Sequence, residues 1–137
     1  MDRDQLTEDI TRDEGVKLEL YKCTSNKWTI GVGRNLEDRG ITTSEAMVLL
    51  NNDIDIVLDE LTSAFPWWTQ MPESAQRALA NMAFNLGIPR LSQFKKMLSY
   101  LEENKFREAA AESQKSRWAE QVGDRSKRIA KLIRDAN

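Results

Sequence analysis

Between Thr42 and Pro66 the chain carries one uninterrupted helical pattern, and that pattern dictates much of the architecture. Thr42-x-x-Glu45 is a capping box. Ala46, Leu49, Leu50, Ile54, Val57, Leu58 and Leu61 follow at close to i, i+3, i+4, i+7 spacing, and Pro66 cannot continue a helix. The pattern predicts a helix from Thr43 to about Ala64. At 1.5 Å per residue it runs roughly 30 Å, long enough to join two lobes.

The segments on either side obey different periods. Leu6 and Ile10 stand four apart, so residues 4–13 read as a short helix ended by Gly15. Leu18, Leu20, Trp28 and Ile30 then alternate with other residues, the period of strands, around a turn at Thr24-Ser25-Asn26. Beyond Pro66 the period returns to helical. Residues 73–86 place Ala75, Leu79, Met82, Ala83 and Leu86 on one stripe, with Gly87 as terminator. Ser92 is expected to cap a further helix, through Leu91, Met97, Leu98 and Leu101. Phe106 to Ser113 and Gly123 to Ala136 complete a mostly helical C-terminal part. The fold class is α+β, a small antiparallel sheet joined by a long helix to a helical bundle.

Composition removes several chemistries. The chain has no histidine, which excludes Ser-His and Cys-His catalysis and the commonest zinc ligand. Its one cysteine cannot close an internal disulfide. No apolar run approaches the ~20 residues of a membrane span, and the first residues show no apolar signal-peptide core. Residues 1–60 carry 14 acids against 7 bases, whereas residues 114–134 carry seven bases against Glu120 and Asp124. That basic end could approach an anionic polymer, or it could be the solvated face of an amphipathic helix. Gly31-x-Gly33 lacks the third glycine of the dinucleotide fingerprint.

Carboxylates, hydroxyls and one thiol therefore have to carry any catalysis, and three of them are suggestively spaced. Eight residues separate Glu14 from Cys23, and five separate Cys23 from Thr29. One helix end and one hairpin could bring all three together. If the turn holds an odd number of residues, Tyr21, Cys23, Lys27 and Thr29 share one face of the hairpin and Leu20, Trp28 and Ile30 the other. An even-numbered turn separates the thiol from the hydroxyl.

These residues resemble, in order, those of the phage-type lysozymes (glycoside hydrolase family 24). The resemblance is carried by Arg12-Asp13-Glu14-Gly15, Leu20-Tyr21-Lys22, Trp28-Thr29-Ile30-Gly31-Val32-Gly33 and Ile41-Thr42 to Asn52-Asp53. It continues through Asn81-Met82-Ala83-Phe84-Asn85-Leu86-Gly87, Phe106-x-x-Ala109-Ala110, Lys115-Ser116-Arg117-Trp118 and Asp124-Arg125-x-Lys127-Arg128. It implies one lysozyme-like domain over 1–137, with a sheet lobe at about 14–42, a connecting helix at 43–64, and a helical lobe of 1–13 plus 65–137.

The resemblance implies a muramidase that hydrolyses the β-1,4 bond between N-acetylmuramic acid and N-acetylglucosamine in bacterial peptidoglycan. Glu14 would be the general acid, and Cys23 and Thr29 would position or activate water. Gly33, Asn35, Phe84 and Asn85 would contact substrate. Arg125 would lie near Glu14, Tyr21 would support the site, and an Arg34–Asp53 ion pair would brace the sheet lobe. Cys23 stands where the T-even members have aspartate, and Arg34 where many members have histidine. No metal, cofactor or nucleic acid is implied. A monomer made in the bacterial cytoplasm and acting at the wall after release is expected. A lysozyme-like module that grips peptidoglycan without cutting it is the alternative.

Overall fold

The computed structural model describes residues 1–136. Asp2 starts the first helix, α1 (Arg3–Glu14), by accepting from the amide of Gln5. Gly15 ends it at φ 74°, a conformation glycine adopts without cost. The chain then turns directly into β1 (Lys17–Lys22), which pairs antiparallel with β2 (Trp28–Gly31). A third strand, β3 (Arg34–Asn35), pairs with β2 to complete the order β1-β2-β3. Asn35 also caps a four-residue helix, α2 (Leu36–Arg39). Neither β3 nor α2 is visible in the sequence periodicity, because neither is long enough to repeat its period.

The long helix α3 spans Thr43–Ala64, as the capping box and Pro66 predict. Thr42 Oγ1 accepts from the Glu45 amide at 3.1 Å, and Glu45 Oε1 accepts from the Thr42 amide at 2.8 Å. Pro66 opens a 3-10 helix through Gln70. Six helices follow: α4 (Glu73–Leu86), α5 (Ile88–Leu91), α6 (Lys95–Glu102), α7 (Phe106–Gln114), α8 (Arg117–Val122) and α9 (Asp124–Arg134). Ser92 does not cap the start of α6 as expected. It closes α5 in helical conformation, and Phe94 precedes α6 with no side-chain cap. Pro89 starts a short helix early enough to take Leu91 into it, and this displaces the boundary.

The chain divides into two compact units, Met1–Leu49 and Leu50–Asn137, with the boundary inside α3. This grouping differs from the expected one in placing α1 with the sheet. The reason is local: only Gly15 and Val16 separate α1 from β1. In the second unit α9 packs on α4, α7 and α8, and α6 packs on α7. Its core contains Leu61, Leu79, Met82, Leu91, Met97, Leu101, Ile129 and Ile133, all nearly inaccessible. Alanines 75, 78, 83, 109, 110 and 130 are buried as well, and so short a side chain lets helix axes approach closely. No buried side-chain polar atom among the described residues lacks a hydrogen-bond partner.

Candidate active site

Five residues lie between β1 and β2, of which Cys23 and Lys27 pair and leave a turn of three, and this odd count places the thiol and the hydroxyl on one face. Tyr21 pairs with Thr29 and Lys22 with Trp28, while the Cys23 amide donates to the Lys27 carbonyl at 3.0 Å. Asn26 sits at φ 60° and its amide donates to the Cys23 carbonyl at 2.8 Å. This is the three-residue hairpin with a left-handed third position, which asparagine tolerates. Tyr21, Cys23, Lys27 and Thr29 therefore share a face. The opposite face carries Lys22, whose ammonium lies 4.7 Å above the Trp28 ring.

Thr29 is only 2% exposed, an unusual position for a threonine on a four-residue strand. Its hydroxyl donates to the Lys27 carbonyl at 2.8 Å. Cys23 is half-buried, and its thiol is held below the ordinary thiol range. The Lys27 amide contributes most to that lowering, followed by the Thr29 hydroxyl and the Ser25 amide. The hydroxyl has one proton, so stabilising the thiolate requires it to turn from the Lys27 carbonyl toward the sulfur.

Glu14, the last residue of α1, folds its carboxyl onto the turn that follows β2. A Cβ built on Gly33 would stand 2.9 Å from Glu14 Oε2 and 3.0 Å from its Cδ. Gly33 has φ 68°, so both its backbone and its missing side chain fit the site to glycine. Arg34, the next residue, pairs with Glu45 rather than with the expected Asp53. Its two terminal nitrogens donate to Glu45 Oε1 at 2.8 Å and Oε2 at 2.6 Å, and one also reaches the Gly40 carbonyl at 3.1 Å. The capping-box glutamate thus presents its carboxylate within reach of the sheet, and guanidinium matches carboxylate in a two-pronged fork. Asp53 lies in the second unit and is exposed.

Asn35, expected at the substrate, spends its side chain on α2, accepting from the Asp38 amide at 3.0 Å and donating to Asp38 Oδ2 at 3.0 Å. In the second unit, Asn85 accepts from Trp118 Nε1 at 2.8 Å. Trp118 and Trp68 are 4% and 7% exposed, so both are core residues. Phe84 is 44% exposed and lines an apolar groove with Leu50, Ile54 and Ala80. Arg125 borders the same groove, held there by Asn81 Oδ1 at 2.9 Å from its Nε.

Comparison with known proteins accounts for nearly the whole chain. Residues 11–135 match the family model described as phage lysozyme, which takes in Glu14, Cys23 and Thr29. The chain belongs to the phage lysozyme family. This lysozyme is 29% identical to probable T4-type lysozyme 2 of Dictyostelium discoideum over 88% of each chain. It is 26% identical to the pre-baseplate central spike protein Gp5 of Enterobacteria phage T4, over 96% of this chain but 28% of that protein. An endolysin of Acyrthosiphon pisum secondary endosymbiont phage 1 is 30% identical over 58% of this chain and 55% of its own.

Lysozymes are glycosidases, and the lysozyme described here is an enzyme of that class. Its first unit holds the Glu14 carboxyl beside Gly33, and on the hairpin the Cys23 thiol and the Thr29 hydroxyl on one face. Among its described residues, no cluster of three or more histidine, cysteine or acidic side chains could hold a metal ion. No helix among the described residues is long and apolar enough to cross a membrane. Sequence reasoning missed Glu45 as the partner of Arg34, although the capping box had already placed a carboxylate at that helix start. It also missed the roles of Glu37 and Asp38, because the short helix that carries them leaves no repeat in the sequence.

Proposed function

We propose that this lysozyme hydrolyses the β-1,4 bond between N-acetylmuramic acid and N-acetylglucosamine in bacterial peptidoglycan. Glu14 protonates the leaving oxygen. Thr29 holds the water that attacks the anomeric carbon, and Cys23, as thiolate, takes the proton that this water loses. The observation that carries this reading is the closeness of Glu14 to Gly33, which sets an exposed carboxyl over a bare turn where a leaving oxygen can reach it. Gly33 leaves bare backbone beside this carboxyl, where a sugar ring can approach. Water rather than sulfur is the nucleophile, so the reaction inverts the anomeric centre. A thiolate attacking the sugar would give a covalent intermediate and retention instead.

Loss of turbidity in wall suspensions tests the assignment. Glu14→Gln should abolish lysis while leaving sedimentation with wall intact, and Cys23→Asp should retain activity that Cys23→Ala loses. Lysis by Glu14→Gln at the unmodified rate contradicts the general-acid role. The stereochemistry of the first-formed product, read by NMR, separates inversion from retention.

The similarity to the phage T4 spike protein favours a second reading, a lysozyme-like module within a larger assembly that binds wall. Unmodified protein that sediments with wall and never clears the suspension supports that reading.

A further inference from the structure

Lys27 is the hub of the hairpin. Its carbonyl accepts from the Cys23 amide at 3.0 Å and from the Thr29 hydroxyl at 2.8 Å, and its own amide is the group that most lowers the Cys23 thiol. Both side chains proposed to handle water are thus oriented by one residue. That residue is tied down in turn by α2. Its ammonium lies 3.3 Å from Asp38 Oδ1 and 3.4 Å from Glu37 Oε2. The remaining oxygens of the two acids extend the network: Glu37 Oε1 accepts from the Trp28 amide at 3.4 Å, and Asp38 Oδ2 from Asn35 Nδ2 at 3.0 Å.

A single exposed ion pair stabilises a fold little. Here two carboxylates hold one ammonium, and the lysine pKa is raised, first by the hydrogen bond to Asp38. A helix of four residues has almost no stability of its own, so α2 keeps its place through such ties. The arrangement fixes a hairpin tip whose turn contains an asparagine in left-handed conformation.

We propose that Lys27, clamped by Asp38 and Glu37, is the positioning residue that aims the Thr29 hydroxyl and the Cys23 thiol. The inference rests on the reading of those two side chains as the water-handling pair. α2 is then the strut of the site, and Asn35 serves it by capping that strut.

Cys23 is the only cysteine, so its alkylation by iodoacetamide, followed against pH, reports this site alone. The double substitution Glu37→Gln/Asp38→Asn gives opposite results under two accounts. If the clamp aims the hairpin, its loss weakens the amide and hydroxyl contacts to sulfur. The profile moves to higher pH, and alkylation at neutral pH falls about threefold or more. If the acids act only as charges, removing two negative groups from beside the hairpin favours the thiolate, and the profile moves to lower pH.

The first result, with a fall in kcat for wall lysis at unchanged KM, is expected. An unchanged profile, a shift to lower pH, or a rise in KM alone overturns the proposal. Should the double variant fail to fold by circular dichroism, Asp38→Asn alone removes the shorter contact and carries the same test. Lys27→Arg, which keeps a cation for both acids, should retain the unmodified profile. Alkylation needs no lysis, so a protein that binds wall without cutting it would defeat the proposed function and leave this test standing.

Discussion

The carboxyl of Glu14 rests on the backbone of Gly33, with Oε2 2.9 Å from where a Cβ on that glycine would stand. Gly33→Ala would meet two obstacles, a collision with this carboxyl and a φ of 68° that costs an L-residue about 1–2 kcal/mol. Gly31 separates them, since its φ is 73° but nothing lies within 4 Å of its missing side chain. Both variants should lower the melting temperature, Gly33→Ala at least as much as Gly31→Ala, while only Gly33→Ala should sharply lower wall lysis. Equal lysis by both variants would mean that the Glu14 seat has no catalytic consequence.

Glu45 gives the first unit an acid limit. Hydrogen bonds from Arg34, then the Thr42 amide, draw its carboxyl down from 4.5 to about 2. A carboxyl more acidic folded than unfolded contributes stability that is complete above its unfolded value and lost as pH falls toward its folded value. The contribution should therefore fade between pH 4.5 and about 2. Glu45→Gln removes it at every pH, so variant and unmodified protein should differ in melting temperature near neutrality and converge at the acid end. A constant gap across that range would exclude the linkage.

Asn85 was expected at the substrate, yet it accepts the indole proton of a tryptophan that is 4% exposed. Asn85→Ala leaves that donor buried and unpaired, at a cost of about 1–3 kcal/mol. Asn85→Asp keeps an acceptor and should be milder. Urea unfolding followed by tryptophan emission compares them. Full stability in Asn85→Ala with lost lysis would restore the substrate role.

In the second unit Leu79 is 1% exposed among buried alanines and Met82. Leu79→Ala should cost about 2–5 kcal/mol, because helices packed through alanines cannot close far into the cavity. Chemical denaturation measures this directly. A loss under about 1 kcal/mol would mean the site collapses freely.

Much of this was legible in the residues, for identifiable reasons. Thr42, Glu45 and Pro66 announced both ends of α3 because caps and breakers act locally. The stripe of Ala75, Leu79, Met82, Ala83 and Leu86 predicted α4 and its buried face, since a helix in a bundle must hide such a stripe. The odd count of Thr24-Ser25-Asn26 placed Cys23 beside Thr29 through the two-residue period of strands alone. What escaped was set by partners across the fold. Arg34 had several carboxylates to choose from, and only the course of the chain through α2 brings Glu45 to it. Asn35 was expected at the substrate, and its part in capping α2 escaped because a helix of four residues leaves too little pattern to read. Ser92 had the chemistry of a helix start, but Pro89 had already begun a helix upstream.

The boundary between the two units falls between Leu49 and Leu50, within an unbroken α3, instead of in a loop. Severing the polypeptide there would strand amides and carbonyls that now satisfy one another along the ladder. Neither half can be excised as a cassette at that point. Gene fusions and chimaeras with relatives will have to be joined before Thr42 or after Ala64, and either graft inherits the whole rod.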